Sequence, residues 1–341
     1  MKKTLHVLAT EPLPDGGEKR IREVSDQVKV TVSTVKNPAD IPTSTWANVD
    51  VLYTWSIMPD PEQAPNLKWI QFKSAGIDRH LDHPLLQEEK VLVTSMSGVI
   101  TGQIAEYVLM ALLAFGQKLP KLMRHQREHR WPESSEKWRD FMPIELRHST
   151  VGILGYGSIG RQVARLLQPF GANVLAAKKD VMHPEDSGYH RENMGDPHGD
   201  FFNRLYPIEA LHSFLGECDF VVVALPLTED THHVLDAAAF RAMKETAYLV
   251  NIGRGGLIDE GALIQALNEK QIGGAALDVF EKEPLSKESP LWDFDNVIIS
   301  PHVSGLSLHM QEETLNLFLE NLNRYIAELP LYNQVDLKRG Y

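Results

Sequence analysis

The sequence is poor in cysteine: Cys218 is the single one among 341 residues. An internal disulfide is therefore excluded, and stability must come from burial of apolar surface. Cys218 itself reads as a small buried hydrophobe ahead of a strand. Positive charge is also short, with 34 Lys and Arg against 46 Asp and Glu and a formal net charge of −12. That balance argues against a general nucleic-acid or anionic-membrane surface. Long hydrophobic runs are missing as well, since the longest, residues 104–115, carries Glu106 and is too short to span a bilayer. Lys2 and Lys3 precede an apolar stretch, as in an export signal. That stretch covers only residues 5–9, contains His6 and stops at Glu11-Pro12, so it reads as a strand. The expectation is a cytoplasmic protein with neither nucleic acid nor membrane as partner.

What the sequence does have is a steady α/β rhythm. A chain of 341 residues exceeds one ordinary core and suggests two domains. Short β-type runs at 5–9, 28–32, 51–55, 69–72 and 91–94 alternate with loops and helical segments, as a first α/β unit with its own parallel sheet. A second set follows at 173–177, 219–225, 247–252, 273–277 and 297–299. Between them, residues 101–115 read as a mostly buried helix with Thr101 as N-cap. No internal sequence repeat is visible.

The most informative stretch is Thr-Val-Gly-Ile-Leu-Gly-Tyr-Gly-Ser-Ile-Gly, residues 150–160. Val151 to Leu154 has the length of a buried strand, and helical periodicity continues from Ile159 to Leu167. Gly155, Gly157 and Gly160 fall between them at G-x-G-x-x-G spacing. The first glycine permits the tight turn, the second lets a pyrophosphate approach the backbone, and the third lets helix and strand pack closely. The helix N-terminus adds free N–H groups and a positive dipole end. A dinucleotide cofactor is expected here, with Gly155, Tyr156, Gly157, Ser158, Ile159 and Gly160 around its phosphates.

After the next strand, a carboxylate would select NAD through the ribose 2′-OH, whereas a cation would accommodate the 2′-phosphate of NADP. The sequence reads Lys178-Lys179-Asp180 there, which leans towards NADP, with Asp180 as the alternative partner for a 2′-OH. Residues 181–205 are polar and Gly/Pro/His-rich, too long for a simple connection, and read as a surface excursion. His183, His190 and His198 within it have no recurring ligand spacing and are expected in solvent. His125 to His129 matches the zinc-peptidase pattern H-x-x-E-H, but Arg124, Arg127 and Arg130 surround it, so no metal site is expected.

Three strand-end loops form a second constellation. Asn-Ile-Gly-Arg-Gly-Gly-Leu-Ile-Asp begins at Asn251, Asp-Val-Phe-Glu-Lys-Glu-Pro-Leu at Asp278, and Ser-Pro-His-Val-Ser-Gly at Ser300. An arginine fork, a carboxylate and an imidazole thus lie on the cofactor side, where Arg254 suits a carboxylate ligand. Earlier, Lys-Ser-Ala-Gly-Ile-Asp from Lys73 ends a strand with a glycine turn of its own. Together these motifs resemble the D-isomer-specific 2-hydroxyacid dehydrogenases, over nearly the whole chain.

The resemblance implies two Rossmann-like, doubly wound parallel-sheet domains with an active-site cleft between them. Residues 1–101 with 303–341 would form the catalytic domain, and 102–302 the NAD(P)-binding domain. His302 would be the acid/base, Glu283 its orienting partner, and Arg254 the clamp on carboxylate and carbonyl. Ala75 and Gly76 would hold the substrate carboxylate beside Arg254 and His302. Asp278, Ile252, Leu225 and Pro226 would join the cofactor contacts with Lys178 and Lys179. The implied activity is reduction of a small 2-oxo acid such as glyoxylate or hydroxypyruvate by NAD(P)H, in a homodimer formed near residues 104–130. The carboxylate beside the histidine would favour the protonated ring and keep it an acid. A phosphoglycerate dehydrogenase-type activity, or a non-catalytic NAD(H)-sensing co-repressor-like module, are the alternatives that the resemblance leaves open.

Overall fold

In the computed structural model, residues 4–87 and 90–340 are described here. They divide into two compact units: the residues up to Ile100 with those from Ser307 onward, and Thr101–Leu306.

The first unit is built on strands β1 (Leu5–Ala9), β2 (Val28–Val32), β3 (Val51–Thr54), β4 (Trp69–Phe72) and β5 (Leu92–Thr94). They pair in parallel in the order β2-β1-β3-β4-β5. A parallel sheet is covered on both faces, so its central strands are buried on both sides instead of alternating. β3 and β4 are buried at every position. The helix Met310–Ile326 returns to this sheet, where Phe318 stacks on Tyr53 at 4.6 Å and meets Trp69 at 5.4 Å between ring centres.

The second unit holds β6 (Thr150–Leu154), β7 (Asn173–Lys178), β8 (Arg204–Pro207), β9 (Phe220–Val223), β10 (Tyr248–Asn251), β11 (Gly274–Leu277) and β12 (Val297–Ile299). All are parallel, in the order β12-β11-β10-β9-β6-β7-β8. The chain winds outward from β6 to β8, then restarts at β9 on the other side of β6. This reversal is the switch point of a doubly wound sheet, outside which ligands bind. The register sets Leu154 opposite Val223 and Ala177, and Leu277 opposite Asn251 and Ile299. The carboxyl ends of six strands therefore line one edge.

The expected strands are recovered within a residue or two at each end. Strand β8 is the exception. It begins inside the stretch 181–205 that reads as a surface excursion. Only Tyr206 in it is buried, and an edge strand that shows one apolar side chain and ends in proline carries little signal. The helix Leu211–Glu217 follows it. The excursion is also more firmly held than its composition suggests. Asp196 is buried and accepts the N–H groups of Asp200 and Phe201. The buried Arg161 donates to the carbonyls of Asp196 and Pro184, each at 2.5 Å, and of Glu185 at 3.1 Å. His183, His190 and His198 are exposed.

Candidate active site

Strand β6 runs directly into the glycine turn. Gly155 has φ +104°, and a Cβ there would lie 2.7 Å from the backbone of Ala224 at the end of β9, so only glycine fits. A Cβ at Gly160 would meet Gly155 O at 2.3 Å, because the helix Ser158–Leu167 sits directly on the turn. Gly157 is different: a Cβ there would meet nothing within 4 Å among the described residues. That open space lies at the N-cap of a ten-residue helix, which gains no side-chain cap from glycine. A backbone cradle with room above it and N–H groups at its end fits a dinucleotide pyrophosphate.

Tyr156 turns its side chain inward. Its hydroxyl donates to Asp196 Oδ2 at 2.6 Å, and the Arg161 guanidinium lies over its ring at 4.8 Å. Burial, then the Asp196 carboxylate, pushes the phenol pKa up. Ser158 and Ile159 are half-buried in the first helical turn. Sequence reasoning missed Arg161 and Asp196, which are 35 residues apart.

Lys178 ends β7, and its ammonium donates to His183 O at 2.7 Å. Burial lowers its pKa, assisted by the charge of Arg161. The exposed Lys179 lies 3.1 Å from Asp230. Asp180 is turned into its own loop, where it accepts Met182 N at 3.0 Å and binds His183 Nδ1 at 2.8 Å. Leu225 and Pro226 follow β9 half-buried, and Ile252 follows β10 buried.

The other candidates sit at the ends of three adjacent strands. Arg254 follows β10 in a turn stapled by the fully buried Asn251. The amide of Asn251 donates to Arg254 O at 3.0 Å and its carbonyl accepts Gly253 N at 3.1 Å. The Arg254 guanidinium is half-buried and donates from Nη1 to Gly253 O at 2.9 Å. Glu283 follows β11: Oε1 accepts Phe280 N at 3.3 Å, and Oε2 lies 2.9 Å from His302 Nδ1. His302, after β12, is partly exposed, with 42% of its side chain accessible. Because Nδ1 is taken by Glu283, Nε2 is the nitrogen able to exchange a proton with a ligand. The fully buried Asp278 directs its carboxylate under this loop, accepting Val303 N and Ser304 N at 2.9 Å.

In the first unit, Ala75 and Gly76 follow β4 in a half-buried turn. The neighbouring Ser74 Oγ is buried and has no hydrogen-bond partner among the described residues, as a group awaiting a ligand would be. Beside it, burial lowers the pKa of Lys73. The H-x-x-E-H pattern is split by its fold, since the helix Leu119–Arg127 ends before His129. His125 is buried against Phe141, and its Nε2 lies 3.3 Å from the Arg130 guanidinium. Among the described residues no cluster of three or more His, Cys, Asp or Glu is placed to hold a metal ion, and no helix is long and apolar enough to cross a membrane.

Residues 109–304 match the family model described as D-isomer specific 2-hydroxyacid dehydrogenase, NAD binding domain. The chain is 33% identical to a glyoxylate reductase of Thermofilum pendens over 282 residues, which is 81% of this chain and 78% of that one. A D-isomer specific 2-hydroxyacid dehydrogenase of Xanthobacter autotrophicus, solved with NADPH and MES, superposes with a TM-score of 0.79 at 27% identity. That likeness covers 99% of this chain and all of the other. An NADPH-dependent glyoxylate/hydroxypyruvate reductase of Sinorhizobium meliloti, solved with NADP and sulfate, gives 0.77 at 28% identity with the same coverage.

Proposed function

The chain belongs to the D-isomer specific 2-hydroxyacid dehydrogenase family, NAD(P)-dependent oxidoreductases of the CH–OH group, and from that premise we propose that it reduces glyoxylate and hydroxypyruvate with NADPH. The observation that carries the reading is the Glu283–His302 hydrogen bond between the loops after β11 and β12, with Arg254 in the loop after the adjacent β10.

When bound, the nicotinamide supplies the hydride. The rest is the work of this chain's residues. Arg254 grips the substrate carboxylate and carbonyl through its planar fork and stabilises charge developing on the carbonyl oxygen. His302, oriented through Nδ1 by Glu283, delivers the proton from Nε2. In the first unit, Ala75 and Gly76 carry backbone N–H groups suited to a carboxylate. The Gly155–Gly160 turn and helix hold the pyrophosphate, with Leu225, Pro226 and Ile252 along the cofactor's further course.

The preference for NADPH is supported by Lys178 and Lys179 at the end of β7, and by Asp180 being engaged within its own loop. The S. meliloti structure, with NADP bound, supports the same reading. A homodimer is supported by the apolar side chains that the helical segment displays to solvent: Met110, Leu119, Leu122 and Met123. The lone buried thiol of Cys218 suits the reducing cytoplasm, where we place the enzyme.

The test is a panel of 2-oxo acids against NADH and NADPH. Sustained NADPH oxidation with glyoxylate and hydroxypyruvate is expected, whereas cofactor binding without turnover would favour the co-repressor-like alternative. Lys178→Asp should then weaken NADPH roughly ten- to hundredfold and NADH far less, the scale of one charge-assisted hydrogen bond.

A further inference from the structure

The loop that carries His302 is held in an unfavourable shape. His302 has φ +54°, the left-handed region that a non-glycine residue occupies only where its surroundings impose it. The imposing group is Asp278. Its backbone oxygen accepts His302 N at 2.8 Å, and its carboxylate accepts the next two N–H groups, those of Val303 and Ser304. One aspartate thus brackets the histidine on both sides.

Asp278 is in turn tied to the helix Thr101–Gly116. Ser300 Oγ donates to Asp278 Oδ1 at 2.5 Å and lies 2.7 Å from the hydroxyl of Tyr107 on that helix. Taken alone, either hydroxyl of that pair can donate. The carboxylate accepts only, so it claims the single proton of Ser300, and Tyr107 must donate to Ser300. Burial raises the Tyr107 pKa, which keeps the phenol protonated for that task. The same helix reaches the loop once more, through Gln103 Nε2 to Gly305 O at 3.3 Å.

We propose that Tyr107 is a positioning residue for His302, acting through Ser300 and Asp278 to hold the imidazole where it can transfer its proton. The inference rests on the reading of His302 as the acid/base. It assigns to the helix Thr101–Gly116 a part in the reaction, although no residue of that helix reaches the reacting atoms in this scheme. Because the hydroxyl donors and the N–H groups that follow His302 converge on the one Asp278 carboxylate, loss of a donor should be felt in turnover and not in cofactor affinity.

The experiment compares wild type with Tyr107→Phe, Ser300→Ala, Ser300→Thr, the Tyr107→Phe/Ser300→Ala double variant and His302→Ala. It reads kcat and KM for glyoxylate reduction, cofactor affinity by fluorescence titration and the melting temperature. Tyr107→Phe should lower kcat about three- to thirtyfold with cofactor affinity unchanged, the scale of coupling between contacting residues. Ser300→Ala should lower it further, Ser300→Thr should restore it, and the double variant should be no worse than Ser300→Ala alone. Wild-type kcat in Tyr107→Phe with an inactive His302→Ala overturns the positioning role and leaves the acid/base reading intact. Full activity in His302→Ala overturns both. Additive losses in the double variant, or a loss matched by weaker cofactor binding, also overturn the proposal.

Discussion

The two sheets invite a direct comparison, because their centres are wound alike and end differently. β1 lies between β2 and β3 as β6 lies between β7 and β9. After β6 comes Gly155-Tyr156-Gly157 and a ten-residue helix. After β1 comes Thr10-Glu11-Pro12-Leu13-Pro14-Asp15-Gly16 and a helix of seven residues, Gly17–Glu23. Two prolines remove N–H groups from that turn, and two carboxylates would repel a phosphate. Thr10, instead of facing a ligand, is buried and donates to Thr54 Oγ1 at 2.7 Å. Topology therefore supplies an edge where ligands can bind, and the chemistry of one turn decides whether a dinucleotide does.

The comparison can be broken at several points. The largest effect is expected at the far end of the second sheet, where His302→Ala should lower reduction and oxidation by about 10²–10⁴. Steady-state rates in both directions check this, and loss in one direction only would contradict a shared acid/base. Next comes Arg254→Lys, which keeps the charge but removes the fork. It should lower kcat/KM for the 2-oxo acid about a hundredfold while fluorescence titration finds the cofactor affinity unchanged.

A smaller effect sharpens the contrast between the two turns. Gly157→Ala adds a methyl group to open space, so the melting temperature should hold while cofactor affinity falls roughly tenfold. Unaltered affinity would remove the pyrophosphate from that space. The counterpart in the first sheet is Gly16→Ala, where a Cβ likewise meets nothing within 4 Å among the described residues but φ is +71°. Only left-handed strain is added there, about 1–2 kcal/mol, so denaturant unfolding should register a modest loss and cofactor titration none.

Legibility in the sequence followed the range of the interactions. The glycine turn was readable because its determinants, a short strand, three glycines and a helix start, lie within a dozen residues. The strand ends at Arg254, Glu283 and His302 were readable for the same reason, each as a loop after an apolar run. Strand β8 was not, because at a sheet edge its pairing with β7 supplies the stability that its side chains do not advertise. The expectation that Asp278 serves the nicotinamide end came from the motif. That its carboxylate also accepts from Ser300, Val303 and Ser304, 22 to 26 residues further on, is visible only in the structure.

By itself, then, the sequence determined the parallel α/β class, the position of the phosphate turn and the identity of the polar groups at each strand end, because backbone conformation and hydrophobic period are local properties of the chain. Only the tertiary structure decided which of those groups touch. Glu283 meets His302 across 19 residues, Tyr156 meets Asp196 across 40, and Tyr107 meets Ser300 across 193. A hydrogen bond depends on tenths of an ångström between atoms whose separation along the chain carries no information about their separation in space, so these contacts exist only once the sheet's register has brought its strand ends into line.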